Sequence, residues 1–230
     1  MSIFGLMMAA RTLSFYANKG SVVQNNLANQ ATDGFKFDRI IAAYDPATGA
    51  PALNRSIDMK QGTFEETGNP FHMALEGPGF FVLDTPDGAR LTRNGNFRLN
   101  TEHVLVDEAN RPVMGQNGPI RLDGNKVELS SDGSVMLDGT AVDQVRLVSV
   151  ANPEQMGKDG ISLFIPNGEL QGVDPDVTRL RQFGLETSNV DGVTGIGDMI
   201  TIQRNFAMNM SAMQSMDKML ETVTTNVGRV

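Results

Sequence analysis

The sequence predicts an α+β fold in which two long terminal helices pack together and an antiparallel β-rich domain is inserted between them along the chain. Three observations predict it: the distribution of prolines, an apolar repeat at both ends, and a series of short β-prone runs in the middle. All ten prolines lie between Pro46 and Pro175. Because proline breaks helices, both ends are free to form long ones.

The N-terminal segment has apolar or small residues at alternating spacings of three and four. They are Ile3, Leu6, Ala10, Leu13, Ala17, Gly20 and Leu27, with Gln24 as a polar exception. This seven-residue repeat predicts a helix with a coiled-coil-like seam. The opposite face is almost uncharged, since residues 1–32 carry only Arg11 and Lys19 as charges. A face with so little charge indicates a helix that packs against partners.

The C-terminal segment shows the same spacing. Its stripe consists of Ile196, Met199, Phe206, Met210, Met213, Leu220 and Val227, interrupted by Gln203, Asp217 and Thr224. Six methionines lie between Met199 and Met219, and flexible thioethers suit surfaces that must fit several neighbours. A helix that packs only on its own domain would show the same stripe, so this simpler alternative stays open.

Three glycines, Gly192, Gly195 and Gly197, stand at the start of this second stripe. Each glycine disfavours a helix by about 1 kcal/mol relative to alanine. One hypothesis is that the segment stays unfolded until neighbouring subunits stabilise it. The alternative is that the helix begins after Gly197 and the glycines form a loop.

Between the two ends, short β-prone runs alternate with turn signals from Gly77 to Val150. The pairs Asp87-Gly88, Asn94-Gly95 and Asp132-Gly133 are typical of hairpin turns, where glycine accepts a positive φ. In the later run 145–149, Val145, Leu147 and Ser149 alternate with Arg146 and Val148. Regular spacing of such runs predicts antiparallel pairing, whereas the polar stretch 43–67 has no clear assignment.

These patterns predict four segments: an N-terminal helix over 1–34, a turn-rich connection over 35–75, a β-rich domain over 76–185 and a C-terminal helix over 186–230. The formal net charge of −8 makes general affinity for nucleic acid unfavourable. Without cysteine there is no disulfide framework. The sequence contains no run of 18 apolar residues, so no membrane span is predicted. Arg11 interrupts the first apolar stretch, so we expect no cleaved signal peptide.

Signatures of catalysis or metal binding are scarce. His72 and His103 are the two histidines, and neither belongs to a metal-ligand pattern such as HExxH. We expect His72 to lie on a strand surface opposite its apolar neighbours. The sequence has no nucleophile elbow and no phosphate-binding loop, and its paired carboxylates are typical of solvated turns. We therefore expect no enzyme activity, no cofactor and no metal.

Four separated stretches are similar to one family. NNLANQATDGFK, TGNPFHMALEGPGFF, TRNGNFRLN and SNVDGVTGIGDMITIQRNFAMN occur in this order, and they resemble the motifs of the axial proteins of the bacterial flagellum, the rod and hook family. The second stretch departs from the family pattern, since Phe71 and His72 replace the usual leucine and acidic residue. The length and the single β domain resemble a rod subunit rather than a hook protein.

The resemblance implies a structural subunit of the flagellar basal body, with no activity and no cofactor. Such subunits are exported unfolded by the flagellar type III apparatus and polymerise, with themselves and other axial proteins, in a helical array across the periplasm. Their terminal helices form the inner tube and their β domain lies outside. MGQNGPIRL and VELSSDGSV are closer to the proximal rod protein, while QRNFAMN is equally similar to the distal one.

Residues of the motifs and stripes form the predicted subunit interface. The interface residues are Leu13, Asn25, Asn26, Leu27, Asn29, Gly34, Phe35, Asn189, Met199, Ile200, Gln203, Arg204, Phe206, Met210, Met213 and Leu220. Thr32, Asp33 and Gly34 are expected to end the first helix, with Gly34 in the left-handed region. Uncharged amides cost less to bury than charges, provided that they find partners, so the asparagines could fix register between subunits. Local capping is the alternative role for them.

Two other classes of protein remain open. A free periplasmic β-rich binding module would be a compact monomer with protected ends, whereas an axial subunit should have ends that are mobile before assembly. An enzyme would require a polar cluster that the sequence does not reveal.

Overall fold

The computed structural model describes residues 3–45, 50–124 and 126–227, and it confirms an α+β fold. The two long helices are α1 (Ile3–Ala28) and α2 (Gly192–Val227), and a single 3-10 turn covers Pro153–Gln155. The strands are β1 (Asp38–Asp45), β2 (Ala50–Ile57), β3 (Phe64–Glu66), β4 (Met73–Glu76), β5 (Phe80–Leu83), β6 (Arg90–Thr92), β7 (Arg98–Leu99), β8 (Leu105–Val106), β9 (Val127–Leu129), β10 (Ser134–Leu137), β11 (Thr140–Gln144), β12 (Leu147–Ser149), β13 (Gly157–Asp159), β14 (Leu163–Ile165), β15 (Gln171–Gly172), β16 (Arg179–Gln182) and β17 (Gly184–Glu186).

The chain divides into two compact units. The helical unit comprises Met1–Ala28, Asp38–Ser56 and Asp191–Val230, and the β unit comprises Asn29–Phe37 and Ile57–Val190. In the helical unit α1 packs against α2, and β1 pairs with β2 in a two-stranded sheet beside α1. The two terminal helices therefore pack together within one chain, as the sequence predicts.

The β unit is built around a six-stranded sheet in the order β13-β14-β6-β5-β12-β15. Its pairings are antiparallel, as the sequence predicts. Alternate residues of β5 enter two different hydrophobic clusters: Phe81 and Leu83 belong to one, and Phe80 and Val82 to the other. The central sheet therefore has apolar packing on both faces, which is why Val148 is buried as well as Leu147.

Two of the three predicted hairpin turns are confirmed. Gly88 joins the paired strands β5 and β6 at φ 98°, and Gly133 joins β9 and β10 at φ 88°. The prediction for Asn94-Gly95 is wrong, because β6 and β7 do not pair with each other. A Cβ at Gly95 would collide with the backbone of Met73, so glycine is required there for close approach of two backbones.

The ends of the helices also differ from the sequence prediction. Helix α1 ends at Ala28, and residues 29–34 form turns of the β unit that Gly34 closes at φ 64°. At the other end, α2 includes Gly192, Gly195 and Gly197, so the loop alternative for these glycines is wrong. The Asp191 side chain caps this helix by accepting hydrogen bonds from the Val193 and Thr194 backbone amides at 3.0 and 3.4 Å.

Candidate assembly site

Helices α1 and α2 approach closely where one of them has a small residue. A Cβ at Gly20 would lie 3.5 Å from Cγ2 of Ile202, and a Cβ at Gly195 would lie 3.8 Å from Cδ1 of Leu27. Both distances are ordinary van der Waals contacts, so each position has room for a methyl group and little more. The two pairs also show that α1 and α2 run antiparallel, because a later residue of α1 meets an earlier residue of α2.

The face that α2 turns toward α1 is offset from the predicted stripe. Ile202 is buried, whereas the predicted seam residues Gln203 and Phe206 are exposed. Burying a branched apolar side chain contributes about 2 kcal/mol more than leaving it in water, while a glutamine side chain would require hydrogen-bond partners. The helix is rotated accordingly, and its half-buried residues are Gly192, Gly195, Met199, Asn205, Asn209, Met210, Met213 and Met216.

An open groove runs along the two helices, with a volume of about 370 Å³. Its lining is mostly apolar and contains no charged side chain. The residues that line it are Tyr16, Ala17, Gly20, Gln24, Met199, Ile202, Gln203 and Phe206. The groove is open because neither Ala17 nor Gly20 has a side chain long enough to fill the space between the helices.

A second apolar surface lies on another face of α2. Val193, Ile196 and Ile200 are 83%, 52% and 46% exposed, and their spacing of three and four places them on one side of the helix. We call these three residues the ridge. Three adjacent branched side chains in water are unfavourable in a monomer, so the ridge is a candidate contact surface.

The predicted interface residues fall into three groups. Buried are Leu13, Asn26, Asn29, Gly34 and Phe35; half-buried are Leu27, Asn189, Met199, Met210 and Met213; exposed are Asn25, Ile200, Gln203, Arg204, Phe206 and Leu220. The structure assigns Asn29, Gly34, Phe35 and Asn189 to the β unit and the other residues to the helical unit. Their role in contacts between subunits stays a prediction.

The buried amide of Asn26 is used inside the helical unit. Its Nδ2 donates to the carbonyl of Asp38 at 2.8 Å, and its Oδ1 accepts from the amide N–H of Asp38 at 2.9 Å. This pair of hydrogen bonds resembles a step of a β ladder and fixes the start of β1 against α1. The structure therefore shows a local role for Asn26, which is hydrogen bonding within its own chain.

Three of the sequence motifs converge in the β unit, at a junction between the stretches where the chain enters and leaves it. The amide N–H of Gly34 donates to the carbonyl of Glu186 at 2.7 Å, and a Cβ at Gly34 would collide with the backbone of Asn94. Asn189 Oδ1 accepts from the amide of Phe37 at 2.8 Å, and its Nδ2 donates to the carbonyl of Asp58 at 2.8 Å. The motifs therefore join segments about 150 residues apart in sequence.

A cluster of buried charges lies in this junction. Lys36 Nζ is 2.5 Å from Oε1 of Glu186, and NH1 of Arg93 is 3.4 Å from Oε2 of the same carboxylate. Lys36 and Glu186 are 0% and 1% exposed. Burial lowers the pKa of the Lys36 ammonium, while the charge of Glu186 acts in the opposite direction.

Backbone groups bind several of the remaining polar atoms of this cluster, whereas the buried Nε of Arg93 has no hydrogen-bond partner among the described residues. Lys36 Nζ also donates to the carbonyl of Lys60 at 2.7 Å, and NH2 of Arg93 donates to the carbonyl of Gly77 at 2.7 Å. The amide of Gly62 donates to Glu186 Oε1 at 2.9 Å. Hydrogen bonds of this kind offset part of the desolvation cost of burying charged groups.

Sequence reasoning missed Lys36, Arg93 and Glu186, because charged residues in turn-rich motifs are usually solvated. The signal that could have found them is their position. Lys36 ends the first motif, Arg93 is the second residue of TRNGNFRLN, and Glu186 lies two residues before SNV.

His72 is held by a turn in the β unit. Its Nδ1 lies 2.8 Å from Oγ1 of Thr67, and its Nε2 lies 3.0 Å from Nδ2 of Asn69. Its half-buried ring therefore stabilises the turn at residues 67–70, the TGNP of the second motif. Among the described residues, no three or more His, Cys, Asp or Glu side chains are placed to hold a metal, and no helix there is long and apolar enough to cross a membrane.

Two family models match the chain. Residues 181–226 match the flagellar basal body rod FlgEFG protein C-terminal model, and residues 74–137 match the D1 domain model of the flagellar hook protein FlgE/F/G. The first match covers the end of the β unit and most of α2, and the second covers the strands from β4 to β10.

Curated relatives are similar over most of their length. The flagellar basal-body rod protein FlgF of Caulobacter vibrioides is 29% identical over 224 residues, which cover 91% of each chain. FlgF of Salmonella typhimurium is 29% identical, with 87% of this chain and 89% of the relative covered. The rod protein FlgG of Bacillus subtilis is 28% identical, with 90% and 92% covered.

Proposed function

This chain belongs to the family of flagellar basal-body rod proteins, and on this premise we propose that it polymerises through its helical unit into the proximal part of the rod. Its relatives are named flagellar basal-body rod proteins, which supports a structural subunit. Other axial proteins of the flagellum are its proposed neighbours. We also propose that it is exported by the flagellar type III apparatus and assembles across the periplasm, as the resemblance of its motifs implies.

One observation carries the proposed role of the helical unit. Of fourteen large hydrophobic side chains that are exposed among the described residues, nine belong to the helical unit, although this unit is the smaller of the two. They are Met7, Ile41, Val193, Ile196, Ile200, Phe206, Met208, Met219 and Leu220. A unit that exposes so many apolar side chains gains free energy when copies cover them.

The charge distribution also supports contacts between copies through the helical unit. The helical unit contains seven basic and six acidic residues, while the β unit contains twelve basic and twenty-one acidic ones. The two units therefore carry formal net charges of +1 and −9. Copies that meet through the helical units avoid most of the repulsion between like charges.

The proposed packing in the polymer is coiled-coil-like. The buried or half-buried positions 195, 199, 202, 209, 213 and 216 of α2 recur at spacings of three, four and seven residues. This is the spacing of a seam between helices that wind around each other. In the polymer, further seams would form between helices of different copies.

The position in the rod is proposed from two stretches. MGQNGPIRL and VELSSDGSV resemble the proximal rod protein, and they cover β9, β10 and the chain before them. The distal position is the alternative, because QRNFAMN resembles both proteins. The identities of 29% to FlgF and 28% to FlgG do not separate the two.

Deleting the gene in its own organism tests this function. We expect loss of motility, restoration by the wild-type gene, and basal bodies that stop before the rod is complete. Electron microscopy of the arrested basal bodies would give the position: an arrest that leaves most of the rod missing indicates a proximal subunit. Full motility and complete basal bodies in the deletion strain would contradict the function itself.

A further inference from the structure

The helical unit carries two apolar surfaces on different faces of α2, the groove and the ridge. At 3.6 residues per turn, the centre of the ridge lies about 100° around the helix axis from the centre of the α2 side of the groove, and Ile196 borders the groove at Met199. A helix is about 10 Å wide, so one neighbour could cover the ridge while another fills the groove.

We propose that the ridge of one copy inserts into the groove of a second copy, and that this single contact, repeated, propagates the polymer. The inference rests on the proposed function and specifies the contact that it needs. A contact between two different surfaces is heterologous, so it leaves a free ridge at one end and a free groove at the other. Such a contact builds an open chain instead of a closed dimer.

Charge identifies the occupant of the groove as another copy. Neither the groove nor the ridge contains a charged side chain, and the helical unit as a whole has a formal net charge of +1. Two copies with a net charge of −8 repel each other. They approach with least repulsion through the helical units, because most of the negative charge belongs to the β unit, whose formal net charge is −9.

Size also matches the two surfaces. Ala17 and Gly20 leave the groove open between Tyr16 and Phe206, and the ridge offers three branched side chains that project from successive turns. Insertion would remove the exposed parts of Ile196 and Ile200 and the apolar wall of the groove from contact with solvent. Both events favour association.

The pairing also predicts a stagger. The ridge is centred near Ile196 and the α2 side of the groove near Ile202, six residues further along the helix. With copies in the same orientation and a rise of 1.5 Å per residue, neighbouring α2 helices are displaced by about 9 Å along their axes. A displacement of this kind is what a helical array requires.

Cysteine cross-linking tests the pairing, because the native chain contains no cysteine. The variant with both Ala17→Cys and Ile196→Cys is expressed in a strain that lacks the gene, and isolated basal bodies are treated with a short thiol cross-linker. We expect a ladder of dimers and higher multimers, at least about tenfold stronger than for either single variant. Dimers without higher species would overturn the open chain, and a motile strain without any ladder would overturn the pairing.

A second pair of variants tests the pairing even if the double cysteine variant does not fold or accumulate. Ile196→Glu places a charge on the ridge, and Thr201→Glu places the same charge on another exposed face of α2. We expect only Ile196→Glu to abolish motility and incorporation into basal bodies. Normal motility of both variants would overturn the proposal while leaving the rod function intact. Failure of the wild-type gene to restore motility would instead overturn the rod function.

Discussion

The two units of this protein bury their side chains very differently. Among the described residues, the β unit buries 28 hydrophobic side chains, whereas the helical unit buries four: Leu13, Val22, Val23 and Ile202. The β unit therefore has a core that can stabilise it alone. The helical unit has long helices but little core, and most helical stability in proteins comes from packing. We therefore expect the β unit to fold by itself, and we propose that neighbouring copies complete the helical unit.

Among the variants that test this comparison, Glu186→Ala is expected to have the largest effect, a loss of stability of the β unit. The substitution leaves Lys36 and Arg93 buried without their carboxylate, and breaking a buried ion pair in this way costs roughly 3–5 kcal/mol. The melting temperature of the β unit should fall steeply in calorimetry. Glu66→Gln removes an exposed carboxylate from the adjacent strand β3 and should change little. Equal effects of both variants would show that the buried cluster contributes no special stability.

Leu27→Asp should affect the other unit. Leu27 is half-buried beside Gly195, and a carboxylate in this packed position carries a desolvation cost of several kcal/mol. We expect loss of polymerisation and motility while the calorimetric transition of the β unit stays unchanged. Ser14→Asp, at an exposed position of α1, is the matched control. A parallel loss of stability in the β unit would contradict the independence of the two units.

An intermediate effect of the opposite sign is expected for the triple variant with alanine at 192, 195 and 197. The structure places these residues within α2, and a Cβ at Gly197 would meet no atom within 4 Å. Alanine should stabilise the helix by about 1 kcal/mol at each interior position. Circular dichroism of the monomer should show more helix, and sedimentation should show more self-association. An unchanged spectrum would mean that the segment is already fully ordered before assembly.

The smallest effect concerns Asp33 in the β unit. Burial, followed by the negative charges of Glu108 and Glu65, raises the pKa of its carboxyl above the ordinary value of 3.8. The folded state therefore retains this proton more strongly than the unfolded chain, and stability falls as the pH rises from 3.8 through the folded pKa. Asp33→Asn should raise the melting temperature slightly at pH 7. The gain should disappear below pH 3.8, and a gain that is independent of pH would rule out this origin.

Much of the architecture could be predicted from local patterns. Proline-free ends with apolar stripes predicted two helices, and Asp87-Gly88 and Asp132-Gly133 predicted hairpins that the structure contains. These features depend on backbone preferences of neighbouring residues, so a short stretch of sequence contains the information. The four motifs likewise identified the family, because their order and spacing are a property of the sequence itself.

Other features required the tertiary structure. Ile202 and Gln203 are neighbours in the sequence, and Gln203 occupies the predicted stripe, yet the contact of Ile202 with Gly20 shows that α2 turns Ile202 inward. Lys36 and Glu186 are far apart in sequence and would ordinarily face water, yet they form a buried ion pair. The sequence by itself determined the helices, the antiparallel strands and the family. Which charges are buried and which apolar faces stay exposed depended on distant segments meeting, since the cost of burying a group is set by partners that a local pattern does not contain.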